Sequence, residues 1–69
     1  MSPQSILENI LNKRVKEFKK EVIEEWEFTH KLSKVDIAEL SEKYLTDEKI
    51  KDAIFNNFNP VVFASVTLE

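Results

Sequence analysis

The sequence predicts a mainly α-helical fold: a long N-terminal helix packed on a shorter helical hairpin, with the C-terminus as a candidate minor β element. Three observations lead there. Apolar residues at 7, 11, 15, 18, 22 and 26, with Ile6, Ile10 and Ile23 beside them, recur at steps of three and four, the period of one helical face. Glycine is absent from all 69 residues, which leaves the positive-φ turns of an all-β fold without their usual residue. Hydrophobic residues make up 42% and charged residues 33%, a balance suited to a folded domain and too apolar for a disordered chain.

The first helix has two candidate starts. Ser2 as N-cap puts Pro3 at the first helical position, where a missing N–H is harmless. Ser5 as N-cap puts Glu8 three residues on and completes a capping box. Either start opens a rod over residues 6–26, uninterrupted by Gly or Pro, whose apolar edge receives the elements behind it. Lys20 and Glu24 can pair across one turn, while Glu17, Glu21 and Glu25 stack as like charges.

The rod ends between Glu25 and His30, and two readings stand. Trp26, Phe28, His30 and Leu32 alternate with Glu27, Thr29 and Lys31, the period of a half-buried strand. The other reading runs the helix to about Phe28 and leaves the rest as a loop. Ser33 then caps a second helix, with Asp36 three residues on and Ile37, Leu40 and Tyr44 as its buried stripe. Thr46 caps a third, with Asp47 and Glu48 in the first turn, where the helix dipole favours anions. Ile50, Ala53, Ile54 and Phe58 form its inner face, and Phe55 points off that stripe. Asn56, Asn57 and Asn59 end it, and Pro60 enforces the stop. Residues 61–67 are either a strand pairing with residues 26–31, a fourth helix capped by Asn59 with Pro60 at its first position, or a partly ordered tail. Residues 1–67 form a single small domain, and Leu68-Glu69 reads as a cloning remnant.

These features narrow the function more than they define it. With no cysteine there is neither a disulfide nor a thiolate metal site. His30 is the only histidine, and no Gly-rich phosphate loop or ligand-spaced carboxylate set accompanies it. We therefore expect no enzyme activity, no metal and no cofactor. No apolar run approaches the roughly 20 residues of a membrane span, and the N-terminus lacks a signal-peptide pattern, so a cytoplasmic protein without membrane attachment is expected. The net charge of −3 is unevenly spread: residues 1–20 carry +3, residues 21–48 carry −6 and the remainder balances. The cations Lys13, Arg14, Lys16, Lys19 and Lys20 either line the solvated side of the first helix or form a basic patch.

Two binding functions follow. A chain this short buries only about 60% of the surface its unfolded form exposes. Trp26, Phe28, Phe55, Val61, Val62 and Phe63 exceed what the short helices can cover, and aromatic residues are common interface anchors. The leading expectation is a non-catalytic protein-interaction or regulatory module, whole or part of a larger assembly, that binds a protein partner or itself. The run 11, 15, 18, 22 offers one seam for self-pairing.

The second function rests on residues 35–55, VDIAELSEKYLTDEKIKDAIF. Ile37-Ala38-Glu39-Leu40-Ser41-Glu42-Lys43-Tyr44 resembles the first helix of a helix-turn-helix unit, followed by a tight turn at Leu45-Thr46-Asp47 and a second helix with Ile50 inside. The order of elements is similar to that of a winged-helix domain. The resemblance implies a helix-turn-helix-like hairpin and nucleic-acid contacts from Lys49, Lys51, Asn56 and Asn57, with the basic strip 13–20 in support. The turn lacks the family's usual glycine. The helix meant for the major groove opens with Asp47-Glu48, which repels phosphate, so nucleic acid is the weaker partner class.

Overall fold

A computed structural model describes the backbone of residues 3–69 and the side chains from Glu8 onward. Four α-helices and one π-helical turn account for most of it: α1 (Pro3–Glu24), the turn Glu25–Thr29, α2 (Lys34–Tyr44), α3 (Asp47–Phe55) and α4 (Pro60–Val66). No strand occurs among the described residues. Because α1 opens at Pro3, Ser5 lies inside the helix rather than at its cap, while the Ser2 cap lies outside the described residues, as do the side chains of Ile6 and Leu7.

The long rod forms as its periodicity predicts and runs on without a break into the π-helical turn. Val15, Phe18, Val22 and Trp26 are buried along one edge, at the spacing that keeps side chains on a common face. Leu45, Ile50, Ala53 and Ala64 complete the core from the other elements. The face of α1 is covered by α3 and α4; α2 meets the π-helical turn instead of lying along the rod. That placement corrects one expectation. Ile37, Leu40 and Tyr44 are only half-buried, and α2 contributes no fully buried side chain. The element is short, and it docks against the last turn of the rod, where less apolar surface is on offer.

Residues 26–31 form no strand. A strand would put Trp26 and Phe28 on one face, yet Trp26 is fully buried and Phe28 is 72% exposed. The helix instead widens by one residue per turn, with the His30 N–H donating to the Glu25 carbonyl at 3.1 Å and the Leu32 N–H to the Trp26 carbonyl at 3.0 Å. The chain then reverses at Lys31, whose φ is 55°. This wide turn keeps Trp26 in the core while bringing Leu32 back against it.

The remaining junctions follow from their capping residues. Ser33 Oγ accepts from the Asp36 N–H at 3.2 Å, and Thr46 Oγ1 from the Lys49 N–H at 3.4 Å. Only Leu45 and Thr46 separate α2 from α3, and Leu45 is held in the core. α3 ends in a Schellman motif: Asn57 adopts φ 60°, the Phe58 N–H reaches the Ala53 carbonyl at 2.9 Å, and the Asn57 N–H reaches Ile54 at 3.1 Å. Phe58 therefore lies beyond the helix and is exposed, not on its inner face as the spacing predicts. Asn59 Oδ1 then accepts from the Val62 N–H at 2.8 Å with Pro60 in the first turn, so residues 60–66 are a helix and no β element forms at the C-terminus.

Without glycine, the chain places a lysine and an asparagine at the two left-handed positions among the described residues. A β-carbon there costs about 1–2 kcal/mol for an ordinary residue and less for asparagine, against which glycine loses more chain entropy on folding. Lys31→Gly should therefore stabilise the protein by about 0.5–1 kcal/mol in urea unfolding, with Lys31→Ala giving no gain and Asn57→Gly a smaller one. A loss of stability in Lys31→Gly would contradict this account of the turn.

Candidate interaction surface

The six residues expected to make a protein contact divide sharply. Trp26 does not belong to the surface: it is fully buried, and its indole N–H donates to the Ala64 carbonyl at 3.1 Å. An aromatic of that size is the most effective filler of a small core, provided its N–H finds an acceptor. Phe63 is half-buried, edge-on to Phe18 with ring centroids 5.4 Å apart. Phe28 and Phe55 are both 72% exposed, and Val61 and Val62 are exposed at the start of α4. The run Leu11, Val15, Phe18, Val22 is consumed by the chain's own core and leaves no seam for a second copy.

Several apolar residues beyond these six are also exposed. Val35 opens α2 at 67% exposure, and Ile10, Phe58 and Val66 are also exposed. Phe58 and Val66 line an open groove of ≈ 350 Å³ between α3 and α4, with Tyr44, Ala53 and Phe63 as its other apolar walls. The signal for Phe58 lay in Asn57: once that residue reverses the chain, the next side chain can no longer follow the α3 stripe. Tyr44 is fixed by Lys43 and Lys49, whose amines both sit 5.3 Å from its ring centre, and Lys49 Nζ donates to the Lys43 carbonyl at 2.7 Å.

The residues assigned to nucleic acid do not form one surface. Lys13, Lys16 and Lys20 are exposed and, by helical period, lie on the side of α1 away from Val15, Phe18 and Val22, the edge covered by α3 and α4. The body of α1 thus separates them from Lys49, Lys51, Asn56 and Asn57. Arg14 lies toward the loop after α3, beside Glu17, Glu21 and Asn57. Lys19 is exposed on α1, and Lys51 is half-buried on α3. The Asn56 side-chain amide donates to the Asp52 carbonyl at 2.8 Å, which closes the end of α3. His30 is half-buried at the bend after the π-helical turn.

This sorting yields a direct comparison. Trp26→Ala should cost about 3–5 kcal/mol, with loss of the cooperative transition in so small a domain. Phe28→Ser and Phe55→Ser should each change stability by no more than about 0.5 kcal/mol. Chemical denaturation checks both, and a large loss in either Phe variant would place that ring in the core.

No protein-family model, curated protein or solved structure matches the chain.

Proposed function

We propose that this chain is a non-catalytic protein-interaction module, either a small regulatory protein or a part of a larger assembly. One observation carries the reading: after the core is filled, Phe28 and Phe55 remain 72% exposed. Burying such a ring is worth about 1.5–3 kcal/mol, and neither contributes that to the chain's own fold. Single exposed apolar residues are ordinary, but large aromatic ones are the usual anchors of contact surfaces. The groove between α3 and α4 adds apolar surface next to the polar side chains of Lys49, Asp52 and Asn56, the mix that lets a contact be both sticky and oriented.

Photo-crosslinking inside cells from the exposed positions 27 and 52, beside Phe28 and Phe55, tests this reading. The expected result is a discrete adduct from at least one position, with capture lost in Phe28→Ser/Phe55→Ser while the helical circular-dichroism signal is kept. No adduct from either position, or equal capture by the double variant, contradicts it.

The alternative is a helix-turn-helix nucleic-acid binder. In its favour, α2 and α3 follow each other directly, although the link Leu45-Thr46 is shorter than the three or four residues usual in such a unit. Against it stand Asp47 and Glu48 at the start of α3 and the net charge of −3. Phosphate neutralisation dominates affinity for duplex DNA and weakens steeply with salt. We expect no binding to a mixed-sequence duplex even at low salt; tight binding that falls with salt would favour the alternative.

A further inference from the structure

A second stripe runs along α1 beside the buried one. Ile10, Arg14, Glu17, Glu21 and Glu24 follow one another at steps of four and three, so they share one helical face, and all five are exposed. The face is not a bare surface. Arg14, Glu17 and Glu21 form one wall of an open trough whose far side is the loop Asn57–Pro60, and Glu21, Glu24 and Glu25 continue it against Pro60 and Val61. Lys20 joins Glu17, Glu21 and Glu24 along the same stretch.

The stripe is ordered along its length. At the N-terminal end an exposed Ile10 precedes Arg14, with Lys13 next to it in sequence. At the C-terminal end Glu21, Glu24 and Glu25 border the exposed Val61. Such a surface complements itself when inverted. A two-fold axis near Glu17, perpendicular to α1, sets Arg14 of each copy at the level of the other copy's Glu21. The same register carries Ile10 to the level of Glu25, beside Pro60 and Val61. Charge matching and apolar matching thus select the same alignment, as an isologous contact requires. A basic peptide could satisfy the carboxylates alone, but it would leave the exposed Arg14 and Ile10 of the same stripe without a partner. We propose that two copies of this chain associate antiparallel through the Ile10–Glu24 face of α1.

This inference uses a different face from the Phe28 and Phe55 contact, so the loss of either leaves the other standing. The proposed contact contains one unfavourable element: this register centres the axis between Glu17 and Phe18, which brings each Glu17 close to its own symmetry mate. The pairs are solvent-exposed, so the dimer is weak and salt-sensitive. Raising ionic strength from about 0.01 M to about 1 M shortens the screening length from roughly 30 Å to 3 Å and should dissociate it.

Sedimentation equilibrium on the full chain provides the test. At low salt and high protein concentration the chain should dimerise. Arg14→Glu and Glu21→Arg should each weaken the dimer by roughly tenfold or more, because symmetry repeats every change. An equimolar mixture of the two variants should recover a heterodimer, since each then supplies the charge the other has lost. Glu17→Gln should tighten the wild-type dimer. Circular dichroism of each variant separates a lost contact from a lost helix, and the mixing experiment stays informative even if one variant is slightly destabilised. A wild-type monomer under all conditions, a dimer indifferent to Arg14→Glu, or a mixture that stays monomeric overturns the proposal.

Discussion

The fold depends on a single buried hydrogen bond between residues 38 positions apart. Trp26 and Ala64 are both fully buried, and the indole N–H meets the Ala64 carbonyl at 3.1 Å. A buried indole without an acceptor would carry a penalty of a few kcal/mol. The chain meets the need by laying α4 across the end of the rod at its smallest core residue, where the backbone can approach closely. Thr67 Oγ1 donates to the same carbonyl at 2.9 Å, so that oxygen receives two donors. Phe18 and Phe63 extend the contact as an edge-to-face pair. Among the described residues, no buried side-chain nitrogen or oxygen is left without a partner.

The other features follow from keeping Trp26 in that position. The π-helical turn adds the residue that lets the rod hold Trp26 inward and still return Leu32 to the core. Lys31 then adopts a left-handed conformation that the rest of the structure must stabilise. α2 docks on this turn, and the buried Leu45 fixes the short link to α3. The first two reversals of the chain are thus tied to Trp26 and Leu45, side chains already committed to the core.

Much of this was legible in the sequence, because it rested on local rules. The three-four spacing of the rod, the caps at Ser33, Thr46 and Asn59, and the outward turn of Phe55 depend on helical geometry and on side-chain oxygens within reach of free N–H groups. What was not legible depends on contacts between distant segments. The alternation from Trp26 to Leu32 fits a strand as a pattern, but the segment is a widened helix with Trp26 turned inward to Ala64. The β-branched tail at 61–67 favours a strand by propensity, yet Asn59 and Pro60 set its first turn as helix. For the surface, counting residues leaves Trp26 open between core and contact, because it cannot tell that α4 covers the indole. Phe28, Phe55, Val61 and Val62 are exposed, whereas the outward position of Phe58 emerges only once the loop after α3 is in place.

The indole N–H of Trp26, the only tryptophan, gives one isolated resonance that reports on this contact. Native-state hydrogen exchange of that proton tests the account most directly. It should be protected as strongly as the slowest amides of α1 around Val22 and exchange only through global unfolding. Exchange at the rate of a free indole, with the α1 amides still protected, would show that α4 does not close over the rod and would contradict the fold described above.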